Sequence, residues 1–368
     1  MSITSLIGNT PSIQLEKLSK LLSTQLFMKI ERGNPGGSIK DRPALYLIEK
    51  AEKEGLLKPG DTIIESSSGN FGISLAMIGA AKGYKVLVLV DPKTTKANLA
   101  MLKAYGAEVI VVDEKDDSGS YHKTRIKLAN ELHRRIKGSF RPDQCFNPYN
   151  SDAHYEITGP EIAEQFPDGL DAIVLAVSTG GQTGGLSRYF KENYPNTKII
   201  IVDAVGSTVF GGKAHSYLLP GMGLSWTPTN IEDITLIDQV YKVPDEAAFL
   251  SCRTLARQEG VLVGGSTGAV FTAALKVAME NSKFKKILCI AADSGERYLQ
   301  TIFNDDWIKE KEFTLDNDFD SLLLKVKALD VYSDAPSEVA NYKPDLLDIL
   351  DCPTKEIIES RRKKLIRI

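Results

Sequence analysis

Six short apolar runs rich in β-branched residues recur along the chain, each closed by glycine or polar residues. They are TIIESS at 62–67, KVLVLVD at 85–91, AEVIVVD at 107–113, AIVLAVS at 172–178, KIIIVDA at 198–204 and KILCIAAD at 286–293. A strand with one wet face alternates in character, so uninterrupted runs of this length predict strands covered on both faces, as in a parallel sheet. Between them, 43–55, 73–83, 96–106 and 124–137 carry helical spacing. Several end at glycine, which closes a helix in the left-handed conformation. This alternation predicts an α/β fold of mainly parallel sheets with covering helices. A chain of 368 residues exceeds one small domain and fits two. The proline-, glycine- and asparagine-rich GSFRPDQCFNPYN at 138–150 is the expected crossing between them.

Composition narrows the functional classes. With 45 basic and 48 acidic residues the formal charge is −3, and a nucleic-acid partner is not expected without a basic excess. The whole excess lies in residues 312–368, which hold 12 acidic and 9 basic residues and end in RRKKLIRI. That stretch reads as an appendage, partly helical, outside the repeating core. No apolar stretch approaches the roughly 20 residues of a membrane span, and MSITSLIGNTPSIQL lacks the charged and apolar regions of a signal peptide. The four cysteines, Cys145, Cys252, Cys289 and Cys352, form no C-x-x-C pair. A cytoplasmic setting without a membrane partner or metal site is the expectation.

Four loops stand where strands end, the usual ligand edge of such sheets. In NPGGSIKDRPA at 34–44, a tight turn with Ser38 as a cap places Lys40 in a first helical turn. The helix dipole opposes a cation there and favours the neutral amine that can build a Schiff base; a solvated lysine paired with Asp41 fits the same letters. ESSSGNFGIS at 65–74 offers hydroxyls and free N–H groups for a carboxylate, or a plain serine-rich cap. STGGQTGG at 178–185 can turn backbone N–H groups toward a phosphate. It matches neither G-x-G-x-x-G nor the P-loop, so a small phosphorylated cofactor fits better than a nucleotide. VGGSTGAV at 263–270 presents Ser266 and Thr267 hydroxyls, or a packing turn. A lysine, an anion loop, a phosphate cradle and a ring-directed hydroxyl together describe a site for pyridoxal 5'-phosphate.

With these motifs in this order, from IGNTP at 7–11 through GERYL at 295–299, the chain resembles the cysteine synthase/cystathionine β-synthase family of fold-type II pyridoxal-phosphate enzymes. The resemblance implies two three-layer α/β/α domains with the cofactor between them. Residues 35–148 with 1–11 would form the smaller, mobile substrate-loop domain. Residues 12–34 plus 149–311 would form the larger cofactor-phosphate domain, and 312–368 a C-terminal extension. It also implies that Lys40 binds the cofactor covalently and that Asn70 bonds its ring oxygen. Ser178, Thr179, Gly180, Gly181 and Gln182 would hold its phosphate, and Ser266 its pyridine nitrogen. Ser67, Ser68, Gly69 and Asn70, with Gln144, would bind the substrate carboxylate, in a homodimeric enzyme acting on amino acids by β-replacement through an aminoacrylate.

Within that family the chain is most similar to the siderophore-pathway branch that makes N-(2-amino-2-carboxyethyl)-L-glutamate, a 2,3-diaminopropionate precursor, from O-phosphoserine and glutamate. MKIERGNPGGSIKDRPA, the STGG opening, DAVGSTVFGG at 203–212 and TRIK at 124–127 carry that likeness. The last places Arg125 where its planar fork could face an acidic substrate, although a helix-surface ion pair with Glu131 is an equal reading. Three departures bear on the substrate: Phe71 replaces a threonine, Gln182 a small hydroxyl residue and Cys145 an aromatic one. Rival readings are a cysteine synthase using sulfide with O-acetylserine or O-phosphoserine, a compact cystathionine β-synthase, and a catalytically reduced binding or regulatory subunit. A nucleotide-binding α/β protein is weakened by the missing fingerprints.

Overall fold

The computed structural model describes residues 1–116, 119–316, 318–343 and 346–349. In chain order the strands are β1 (Ser12–Gln14), β2 (Gln25–Ile30), β3 (Thr62–Ser66), β4 (Lys85–Val90), β5 (Glu108–Val111), β6 (Ser139–Phe140), β7 (Ala172–Ala176), β8 (Lys198–Ala204), β9 (Gln239–Val243), β10 (Lys286–Ala291) and β11 (Val331–Ser333). They form a seven-stranded sheet, β1-β2-β10-β7-β8-β9-β11, and a four-stranded sheet, β5-β4-β3-β6. The smaller sheet is wholly parallel. The larger is parallel except at its edges, where β1 pairs antiparallel with β2 and β11 with β9. All six apolar runs became strands, and the expected α/β architecture holds.

The buried pattern follows from two-sided covering. Every residue of β7 is buried, because helices lie on both faces of its sheet. The Asn70–Lys82 helix is apolar almost all round and buried from Phe71 through Gly79, as a helix clamped inside the protein must be. It lies so close to β4 that a Cβ at Gly79 would stand 2.3 Å from Val86 Cγ2. Among the described residues, no helix is long and apolar enough to cross a membrane.

A buried ionic cluster ties the larger sheet to the segment that carries Lys40. Arg42 lies in the Asp41–Lys53 helix. Its guanidinium donates to Glu31 Oε2 at 2.7 Å, Glu31 Oε1 at 2.8 Å, Glu161 Oε2 at 2.7 Å and Glu161 Oε1 at 2.8 Å. Lys29, fully buried in β2, donates to Glu161 Oε1 at 2.6 Å. Two cations and two carboxylates balance, which is the condition for burying charge. Glu161 also accepts from the N–H groups of Asn9 and Thr10, at 2.9 Å each, which pins the N-terminal loop.

The chain beyond residue 312 is not a loose appendage as far as residue 349. The Phe319–Lys327 helix buries Leu322 and Val326 in the core of the larger sheet. Lys276 Nζ donates to the Lys327 carbonyl at 3.0 Å, and Lys325 pairs with Glu246 at 2.7 Å. Leu322, Val326 and Leu329 recur at the spacing of one helical face, and β11 then extends the sheet. The terminal RRKKLIRI lies outside the described residues.

Candidate active site

Each sheet contributes loops from the carboxyl ends of its strands to one cavity of about 300 Å³. Its walls include Lys40, Ser67, Ser68, Gly69, Asn70, Arg125, Gln144, Ser178, Thr179 and Ser266, ten of the thirteen residues expected from sequence. Gly180, Gly181 and Gln182 are not in that lining. Gly180 takes the left-handed conformation with φ +83° just before the Gly181–Asn193 helix, and Gly181 packs on Asn150, leaving no room for a Cβ. The first N–H groups of a helix have no partner within it, so an anion near Ser178 and Thr179 meets the positive end of this helix. Gln182 turns away: its Nε2 donates to the Ala176 carbonyl at 2.6 Å, so its side-chain donor serves the end of β7.

Lys40 immediately precedes the Asp41–Lys53 helix rather than standing in its first turn. Its N–H meets Ser38 Oγ at 3.2 Å. Asp41 is not its counter-ion. That carboxylate accepts from the Gly36 N–H at 2.5 Å and from Ser74 Oγ at 2.5 Å, and burial raises its pKa to about 6. Burial lowers the Lys40 pKa, against an opposing pull from Asp293. Desolvation therefore does what the dipole argument expected, favouring the neutral amine.

Asp293 is the main acidic group missed from sequence. A backbone bridge joins residues 38 and 293 and brings the Lys40 turn to the end of β10. Asp293 Oδ2 accepts from Asn70 Nδ2 at 2.8 Å and from Tyr298 Oη at 2.6 Å, while Oδ1 is buried without a hydrogen bond. Burial raises its pKa. Arg297 donates to Asn70 Oδ1 and to the Gly36 carbonyl. A charged residue closing KILCIAAD, like the serine closing AIVLAVS, was the available signal.

Arg125 does not pair with Glu131, which holds Arg135 instead. It is 4% exposed and reaches across to the end of β4, with Nη1 3.2 Å from Asp91 Oδ2 and 2.5 Å from Ser68 Oγ. Ser68 Oγ in turn donates to Asp91 at 2.7 Å. The Ser68 hydroxyl is thus committed to this triad, and among the described residues nothing engages Arg125 Nη2. Ser67 Oγ accepts the Gly72 N–H at 3.1 Å and starts the Asn70–Lys82 helix. His122 also lines the cavity, edge-on to Trp226; burial, aided by Arg125, lowers its pKa to about 4.

Two asparagines that the sequence reading passed over fasten the loops together. Asn230 Nδ2 meets the carbonyls of Gln144 at 3.1 Å, Cys145 at 3.2 Å and Thr179 at 3.0 Å. Asn150 Nδ2 donates to the Gln144 carbonyl at 2.7 Å and lies 3.2 Å from Thr179 Oγ1. Phe71 spends its side chain on the core of the smaller sheet. Burial raises the Cys145 thiol pKa, so the thiol stays neutral.

The cavity suits pyridoxal phosphate: the desolvated Lys40 amine, Ser178 and Thr179 just before a helix start, and Ser266 all border it. A family model described as "Pyridoxal-phosphate dependent enzyme" matches residues 3–293. Among solved structures, the crystal structure of O-ureido-L-serine synthase superposes with a TM-score of 0.77 at 31% identity, covering 88% of this chain and 98% of that one. A lysine-to-alanine mutant of that synthase with O-ureido-L-serine bound gives 0.77 at 31% identity, covering 85% and 98%. A hydrogen sulfide-producing enzyme from Fusobacterium nucleatum gives 0.76 at 38% identity, covering 81% and 99%.

Proposed function

The chain belongs to the pyridoxal-phosphate dependent enzyme family, and on that premise we propose that it catalyses β-replacement on an O-activated serine, preferably O-phospho-L-serine with L-glutamate, to give N-(2-amino-2-carboxyethyl)-L-glutamate and phosphate. The observation that carries this reading is the convergence of Lys40, the Ser67–Asn70 loop, the Ser178–Thr179 loop and Ser266 on one cavity. Bound pyridoxal phosphate would supply the electron sink that acidifies the substrate Cα and lets the group on Cβ depart.

The protein's own groups divide the remaining work. Lys40 would anchor the cofactor, and its amine, which burial pushes toward the neutral form, would be the base for the Cα proton. Ser178 and Thr179 with the N–H groups of Gly180, Gly181 and Gln182 would hold the cofactor phosphate, and Asn70 and Ser266 would hold its ring. The Ser67–Asn70 loop, through the N–H groups of Ser68 and Gly69, would receive the substrate carboxylate with Asn70 and Gln144, while the Ser67 N–H donates to the Leu89 carbonyl at 3.0 Å. Arg125, held by Asp91 and Ser68, offers its Nη2 to the leaving phosphate or to a second carboxylate. The smaller sheet with residues 35–148 would move as the substrate-side domain, in a cytoplasmic homodimer of siderophore amino-acid biosynthesis.

A second reading has support of its own. The likeness to a hydrogen sulfide-producing enzyme favours sulfur chemistry at Cβ, which run in the synthetic direction joins sulfide to O-acetylserine or O-phosphoserine. Incubating the holoenzyme with each serine derivative and either glutamate or sulfide, then weighing the products, separates the two. Cysteine as the sole product would refute the glutamate assignment. Lys40→Ala should abolish both the cofactor's protein-bound absorbance band and turnover, and survival of either would refute the lysine's role.

A further inference from the structure

We propose that Val339–Asn341, with Leu346 and Leu347, determines specificity from outside the active site, by bracing the loop that shapes the entrance an amino-acid nucleophile must use. This rests on the reading above that Lys40 marks the reaction centre. Between β8 and the short Ile234–Leu236 turn, residues 205–230 contain no helix or strand. A loop of that length without secondary structure takes its shape from what it packs against and is characteristically functional. Its inner side supplies Pro220, Gly221 and Leu224 to the Lys40 cavity. The same loop walls a vestibule of about 600 Å³ that shares Asp91, Lys93, His122 and Ser178 with that cavity.

The outer side of the loop is held by a segment beyond residue 293, where the family match ends. Asn341 bonds both arms of the loop. Its Nδ2 donates to Thr208 Oγ1 and to the Ser225 carbonyl at 3.2 Å each, and its N–H lies 2.7 Å from Thr227 Oγ1 and 3.3 Å from the Val209 carbonyl. Its own carbonyl accepts the Thr227 N–H at 2.9 Å. Gly211, at φ +72°, lies under the Val339 carbonyl, which would stand 2.8 Å from an added Cβ. Leu346 and Leu347 are buried in the cluster that contains Val209, Leu224 and Trp226. Tyr332 of β11 stacks under Lys242, whose ammonium donates to the Ser207 and Gly211 carbonyls at 2.8 and 2.6 Å. Asn341 touches neither cavity, so it is a positioning residue acting through Thr208 and Ser225.

The test compares holoenzyme with Asn341→Ala, and with Gly211→Ala, which disturbs the neighbouring Val339 contact from the loop side. Leaving-group release from the serine derivative alone reports the first half of the reaction. The KM of the amino-acid nucleophile reports the vestibule, and hydrogen exchange of amides 205–230 reports the loop. Losing two side-chain hydrogen bonds should raise the nucleophile KM about tenfold and quicken exchange in 205–230, with leaving-group release unchanged. Unchanged exchange in 205–230, or release and nucleophile KM failing together, would overturn the proposal. If the enzyme accepts only sulfide, the substrate reading of the previous subsection fails, and the exchange measurement alone decides the role of Asn341.

Discussion

Replacing Arg42 with methionine tests how the Lys40 segment is held. The guanidinium makes four carboxylate bonds and a fifth at 3.1 Å to Thr10 Oγ1. Its partners are nearly inaccessible, with Glu31 at 0% and Glu161 at 9% side-chain exposure. In the variant Lys29 still neutralises Glu161, but Glu31 retains only Thr10 Oγ1 and Asn34 Nδ2, at 2.7 and 2.8 Å. One buried carboxylate is then uncompensated, which costs about 3–5 kcal/mol. Urea unfolding of the cofactor-free protein should show that loss. Arg42→Met with Glu31→Gln restores charge balance and should be more stable than Arg42→Met alone. Because Arg42 lies two residues from Lys40, the single variant should also bind pyridoxal phosphate more weakly. A single variant within about 1 kcal/mol of the parent, or a double variant showing the full sum of both losses, would refute the reasoning.

Three further outcomes follow from the packing. Its cationic partners hold Glu161 at a pKa of about 2, below the ordinary 4.5; its stabilisation is therefore complete above pH 4.5 and lost as pH falls through 2. The parent should lose more stability than Glu161→Gln between pH 5 and pH 3 in denaturant titrations. Gly184→Ala would place a Cβ 1.8 Å from the Asn230 carbonyl oxygen, displacing the asparagine that joins residues 144, 145 and 179. A loss of about 1–3 kcal/mol or more, with weakened cofactor binding by absorbance titration, is the expected result. Leu322→Ala, which empties a fully buried site in the C-terminal helix, should cost about 2–5 kcal/mol in the same unfolding assay; a free appendage would cost nothing.

What could be read from the letters divides along physical lines. Strands wet on neither face announce themselves, so the six apolar runs were legible. β2 and β9 were not, because Lys29 and Lys242 interrupt them. Those lysines are tolerated inside by partners far away in sequence, Glu161 for one and the Ser207 and Gly211 carbonyls for the other. The site was legible where one loop carries its own chemistry, as at Lys40, Ser67–Asn70 and Ser178–Thr179. It was hidden where function depends on a second, distant loop. Nothing near Arg125 names Asp91 as its partner, and nothing near residue 144 names Asn230. The C-terminal segment misled for the opposite reason: its charge drew attention away from Leu322, Val326 and Leu329, which decide where it packs.

The amide of Asn230 binds carbonyls that sit just past β6, one edge strand of the four-stranded sheet. Any swing of that sheet that preserves these bonds must pivot along the β6 side, like a door hung on one jamb. Displacement then grows with distance from the pivot, so Ser66 at the end of the adjoining β3 travels less than the end of β4, and the β5 edge travels most. Asp91, at the end of β4, together with the Arg125 it holds, rides the longer lever arm. If the smaller sheet closes in this way, an arginine on its moving side would make closure depend on a bound anion to meet it.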